Sequence, residues 1–238
     1  MITRIIEVVD RSTQGITQPF LCRGDDGLLY YVKANAAGRS ALIAEWISAN
    51  LGKRLGLPIP DFKQAQIPER LIKLSAREDI EDLGDGTGFA SQKIENADEL
   101  TYLFIEQMDL TLRAKILLFD WWVANGDRTL TEHGGNPNLL WVHHDHKAYV
   151  IDHNVALDET CLNEFWSQHI FASTRTVWSP TFRQEMEQVM KAALDNLDDW
   201  WNQMPAEWTD VPTGFKLEQV KTLLSRFETD ADRFWRAA

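Results

Sequence analysis

With 238 residues, 44% of them hydrophobic and ten Trp and eleven Phe among them, the chain can bury a substantial core and fits one bilobal domain or two small ones. Its formal charge of −12 gives no basic footprint, so a nucleic-acid backbone is repelled on average and direct DNA or RNA binding is disfavoured, although a local pocket can still be basic. Cys22 and Cys161 show neither a zinc nor a thioredoxin spacing, the apolar N-terminal run is interrupted by Glu7, and no run of about 18 apolar residues occurs, so the expectation is a reduced, cytoplasmic protein without a membrane anchor.

The first half reads as a small sheet carrying one helix. Residues 2–9 form a strand pattern, 10–19 a polar loop, and 20–23 and 28–33 two strands joined by the turn Gly24-Asp25-Asp26-Gly27. Helical spacing of Leu42, Ile43, Trp46, Ile47, Leu51 and Leu55 predicts a helix over 40–55, with Gly56 placed to stop it. Residues 62–67 and 89–94 are further strands, with an acidic loop over 77–87 between them. Lys33 is the only charged residue in its strand run, and Glu45 lies between Ile43 and Trp46, where an unpaired charge is costly to bury. A Lys33–Glu45 pair resolves that cost; the alternative is a solvated strand end and a helix-edge glutamate.

The second half is mostly helical. A strongly apolar helix over 110–125 carries Trp121 and Trp122 as core residues, with Asp120 either bonding the following loop or facing solvent. Further helices are expected over 164–170, 180–194, 198–204 and 216–235. Between them, 139–142 and 148–151 are β-prone runs around a turn near Asp145. His143, His144 and His146 crowd that turn, where strand alternation splays them and disfavours a metal cluster.

This hairpin sets Asn138 and Asp152 opposite each other at its open end, where their oxygens can help hold a hard cation such as Mg²⁺. Asp127 opens the preceding loop, and a carboxylate there can orient a hydroxyl and accept its proton. Singly these are ordinary turn residues. In the order Asp, Asn, Asp they have the spacing of a kinase-type phosphoryl-transfer site. The fold class that follows is α+β: a two-lobed, protein-kinase-like architecture with a small β-rich N-lobe over 1–95 and a helical C-lobe over 96–238.

The segments GDR, NPNLLW and YVIDH, with YVK, AEW and LGLPIP upstream, resemble the HipA-like branch of the protein-kinase-like superfamily, which also includes phosphatidylinositol kinases. The resemblance implies an ATP- and Mg²⁺-dependent serine/threonine kinase. Asp127 takes the catalytic position and Asp152 a metal position, with Asn136 or Asn138 as the second metal ligand. Lys33, held by Glu45, meets the nucleotide phosphates, and adenine bonds backbone around Gln92, Lys93 and Ile94. The loop over 10–19 stands where a phosphate-covering loop is expected, offering Gly15 and the hydroxyls of Ser12, Thr13 and Thr17, with Ser12 or Thr13 as a self-phosphorylation site. A protein substrate is implied, in a toxin–antitoxin setting, with an antitoxin or a separately supplied N-terminal subdomain as partner. Two other readings stand beside it. A nucleotide-binding pseudokinase is favoured by the lengthened loop over 129–135 and the single glycine of the phosphate loop, and a small-molecule or lipid acceptor by the Asp-Arg step.

Overall fold

The computed structural model describes residues 1–12, 18–212 and 214–236. The chain has a mixed α+β fold with a small β-rich N-terminal part. Alternating apolar residues there build a closed barrel from β1 (Ile2–Arg11), β2 (Phe20–Gly24), β3 (Leu29–Lys33), β4 (Phe62–Ile67) and β5 (Gly86–Gln92). Its order is β1-β2-β3-β5-β4, with β4 returning to β1 in parallel and every other pair antiparallel. Closure turns Ile5, Phe20, Tyr30, Val32, Ala65 and Ile67 inward.

Helix α1 (Arg39–Arg54) follows β3, and Gly56, at φ 73°, ends it as expected. Its apolar face joins the core of the helical remainder rather than that of the barrel. The β4–β5 connection holds α2 (Glu69–Lys73) and α3 (Ile80–Leu83). The acidic loop expected over 77–87 is thus partly helical. Arg77 pairs with Asp79 and Arg11 with Asp82, which lets Ile80 and Leu83 drop into the barrel core. The strand expected over 89–94 begins earlier and ends at Gln92, because Gly86, Thr87 and Gly88 pair with Ile67, Gln66 and Ala65 despite low strand propensity.

The remainder opens with β6 (Ala97–Glu99) and α4 (Leu110–Trp122), whose N-cap Asp109 accepts a hydrogen bond from Leu112 N at 2.8 Å. A small hairpin, β7 (Thr129–Thr131) and β8 (Gly134–Asn136), precedes β9 (Leu139–Val142) and β10 (Lys147–Val150), and β9 pairs with both β10 and β6. Helices α5 (Phe165–Gln168), α6 (Pro180–Leu194), α7 (Leu197–Asn202), α8 (Ala206–Thr209), α9 (Leu217–Leu224), α10 (Arg226–Thr229) and α11 (Ala231–Arg236) complete the chain. The single helix expected over 216–235 is broken into three. Ser225 Oγ bonds back to the Lys221 and Thr222 carbonyls, and the Trp122 indole takes the Leu224 carbonyl, so at the first break a tertiary bond replaces a helical one. Among the described residues, no helix is long and apolar enough to cross a membrane.

Candidate active site

A solvent-open cleft lies between the barrel and the β9–β10 hairpin. Lys33, the last residue of β3, enters it as a nearly buried ammonium. Its Nζ lies 2.6 Å from Glu45 Oε1 on α1 and 2.6 Å from Asp152 Oδ1 beyond β10. Burial by itself disfavours both charges of the Lys33–Glu45 pair. The opposite charges win: Glu45, against Lys33 and then His153, is held down at about 2, and Lys33, against Glu45 and then Asp152, is raised above its ordinary 10.5. Backbone N–H of His153 donates to Glu45 Oε2 at 3.2 Å, so the segment after β10 is pinned to α1.

The loop after α4 is shaped by its own polar residues. Ala124 turns left-handed at φ 55°, and Asn125 N–H donates to Asp120 O. Gly126 then passes so close to Cys161 that a Cβ would lie 1.8 Å from the Cys161 carbonyl oxygen. The next residue, Asp127, accepts hydrogen bonds on Oδ2 from Asn136 Nδ2 at 2.7 Å and Asn138 Nδ2 at 3.2 Å. Both amides present N–H to Asp127, which turns each amide oxygen away from that carboxylate.

Arg128 is the fully buried centre of this loop. Its guanidinium meets Asp120 at 2.6 and 3.2 Å and donates to the carbonyls of Pro137, Asn138 and Ile151. His169 Nε2 lies 2.9 Å from the same Asp120 carboxylate, and its Nδ1 accepts from Phe171 N–H, so the ring proton is on Nε2. Burial would raise the Asp120 carboxyl, but Arg128 and then His169 hold it well below the usual carboxylate range.

The lengthened loop folds as β7–β8, with Thr129 paired to Asn136, and that register delivers the Asn136 amide to Asp127. In the β9–β10 hairpin Leu139 pairs with Val150, and Ile151 N–H donates to Asn138 O at 3.1 Å. Asn138 (φ 47°) and Asp152 (φ 57°) flank its open end, both left-handed, as turn-forming residue types tolerate.

Lys33, Glu45, Asn136, Asn138, Asp152, Ser12 and Gln92 all line the cleft. Asp127 reaches it through the two asparagines. Lys93 and Ile94 do not line it; Lys93 N–H is taken by Leu29 O and its ammonium by Glu95. Thr13, Gly15 and Thr17 lie outside the described residues. The turn histidines point to separate partners, His143 to Asp98 and His144 to Asp145, while the His146 ring stands edge-on to Trp141.

Residues 5–238 match the family described as HipA-like kinase. The chain belongs to the HipA-like kinase family. It is thereby a kinase. A solved structure similar to it is that of the Helicobacter pylori proinflammatory kinase CtkA, at 12% identity over 94% of each chain and a TM-score of 0.44. No curated protein matches the chain.

In this HipA-like chain the apolar walls of the cleft escaped sequence reasoning. Ile59, Phe62, Phe89, Leu140 and Val150 come from separate elements, and only Phe62 and Phe89 touch as a ring pair, with centroids 5.7 Å apart. Glu99 at the end of β6 also faces the cleft, its carboxyl pushed up by burial, and no local pattern marks it.

Proposed function

We propose that this kinase transfers the γ-phosphoryl group of ATP to a serine or threonine hydroxyl of a protein, in a cleft between an N-lobe over 1–95 and a helical C-lobe over 96–238. The observation that carries the reading is one ammonium, Lys33, held 2.6 Å from Glu45 and 2.6 Å from Asp152, with Asp127 joined to the same cleft through Asn136 and Asn138. Phosphoryl transfer asks a protein chiefly to position groups and neutralise charge. Lys33 supplies a fixed positive charge for nucleotide phosphates, Glu45 keeps it in place, and Phe62, Phe89, Leu140 and Val150 offer an apolar slot for a base.

The donor set fits Mg²⁺, since Asp152 and the two asparagine amides offer hard oxygens and few of them. Those residues would hold the ion, which when bound neutralises charge on the phosphate oxygens. Asp127, its carboxylate oriented by two amide donors, would align the acceptor hydroxyl and take its proton. The ordered β7–β8 hairpin speaks against a binding-only module, because the extra residues bring Asn136 to Asp127 instead of displacing it. Ser12, on the cleft wall, is the self-phosphorylation site within the described residues, and intact mass after incubation with ATP and Mg²⁺ tests it.

Turnover of radiolabelled ATP, paired with nucleotide-binding calorimetry, tests the main reading. Asp127→Asn is expected to lower turnover by about 10²- to 10⁴-fold while sparing nucleotide binding, and Asp152→Asn to weaken Mg²⁺-dependent binding. A wild-type chain that binds nucleotide without turnover selects the binding-module reading instead.

A further inference from the structure

The flank of α1 beside its cleft-facing residues is bonded to a segment far along the chain. Successive helix residues point about 100° apart, so Glu45 and Ala49 face the cleft while Trp46 is turned roughly 80° to one side of them. Trp46 Nε1 donates to Trp200 O at 3.0 Å, and Arg54, in the last turn of α1, donates to the Asn196 side chain. The same segment reaches the barrel. Gln64 of β4 donates to Gln203 O at 2.6 Å. Both backbone polar groups of Thr87 of β5 are held, its N–H by Glu207 Oε1 at 2.7 Å and its carbonyl by Trp208 Nε1 at 2.9 Å.

On its other side the segment is rooted in the helical remainder. Leu197, Trp200, Met204 and Trp208 share a core with Val220 and Leu224, and Asp198 pairs with Lys221 at 2.7 Å. Residues 196–208 therefore run from the C-terminal helices across α1 to two barrel strands. Nothing in the phosphoryl-transfer chemistry itself calls for these bonds.

We infer that residues 196–208 are a strap that positions α1, and through it Glu45 and the Lys33 ammonium, so that the ion pair is set by the C-terminal helices before any nucleotide arrives. This rests on the proposed role of Lys33 as the phosphate-binding group. Trp46, Glu207 and Trp208 are positioning residues: none lines the cleft, Glu207 and Trp208 act through β5, and Trp46 acts through α1 and through the Phe62 ring, which it meets edge-on with centroids 5.4 Å apart. The strap ties α1 to the helical part and so opposes a swing of α1 relative to it.

The test uses the full chain. Glu207 is exposed, so Glu207→Ala spares the fold while removing one bond to Thr87, and Glu207→Ala with Trp208→Phe removes both. Glu207→Gln keeps an acceptor oxygen and serves as the rescue. Trp178→Phe is the control, because it deletes a comparable indole bond, to Ala114 O at 3.2 Å, away from α1 and the barrel. Amide exchange of α1 without nucleotide should quicken by about tenfold in the double variant, and should return to the wild-type rate in Glu207→Gln. KM for ATP should rise severalfold in the double variant with adenosine affinity unchanged, since only phosphates meet Lys33. Strap variants whose α1 exchange matches that of the Trp178→Phe control overturn the inference. A wild-type chain that fails to bind ATP overturns the proposed function, and the exchange measurement still decides the strap.

Discussion

Arg128 shows how one side chain can set several loops at once. Its guanidinium fork spans the Asp120 carboxylate and three carbonyls, from Pro137 and Asn138 ahead of β9 and from Ile151 after β10. A planar five-donor group suits this task and a lysine does not. With both Asp120 and Arg128 fully buried, Asp120→Ala strands a cation in the core and should cost about 3–5 kcal/mol. Urea unfolding measures it, and an unshifted midpoint would contradict the account. Lys33→Met makes a complementary prediction. It removes the charge while keeping much of the stem, so ATP affinity should fall far more than adenosine affinity in paired titrations; equal losses would mean that Lys33 serves the fold and not the phosphates.

At the scale of elements, the loop between α4 and β7 depends on close backbone approach. Gly126→Ala places a methyl on the Cys161 carbonyl oxygen, so one of the two segments must move. The expected result is a lower melting temperature together with lost turnover, and a crystal structure of an unperturbed, active Gly126→Ala chain would refute it. The β9–β10 hairpin was legible in the sequence because two β-prone runs flank a polar turn, but its register, Leu139 against Val150, sets Asn138 opposite Ile151 and leaves Asp152 one residue farther out than expected. The helix bearing Glu45 was legible for the same kind of reason, its apolar spacing and its stop at Gly56. The β7–β8 hairpin was hidden because GlyGly and a histidine carry no alternation; it is held by Thr129, whose strand also bridges to His169. The breaks at Ser225 and Asp230 were hidden because apolar periodicity runs through both; at the first, the Trp122 indole of α4 claims the Leu224 carbonyl. The cleft walls depend on how remote elements meet, which no local pattern records.

For the whole molecule, the buried charges predict how stability follows pH. His169 is pushed below its ordinary 6.5, chiefly by burial, so as pH falls below 6.5 the unfolded chain takes up a proton that the folded ring refuses, and stability declines. Glu45, held at about 2, adds stability that is complete above its ordinary 4.5 and drains away as pH falls towards 2. Lys33 acts on the other side: its contribution is whole below 10.5 and is lost as pH climbs through its raised value. Urea midpoints should therefore form a plateau from about pH 7 to about pH 10 with losses on both sides. A midpoint that stays constant from about pH 7 to about pH 5 removes His169 from this account.

The bonds that tie Trp46, Gln64 and Thr87 to the chain's later helices span 154, 139 and 121 residues. A ribosome delivers the barrel strands and α1 long before it delivers their partners. During synthesis, then, the nascent N-terminal half waits with Trp46 and Thr87 unsatisfied. On the strap inference, the ammonium and carboxylates of the cleft reach their final register only after residues 196–208 have emerged, so activity waits on the synthesis of that segment.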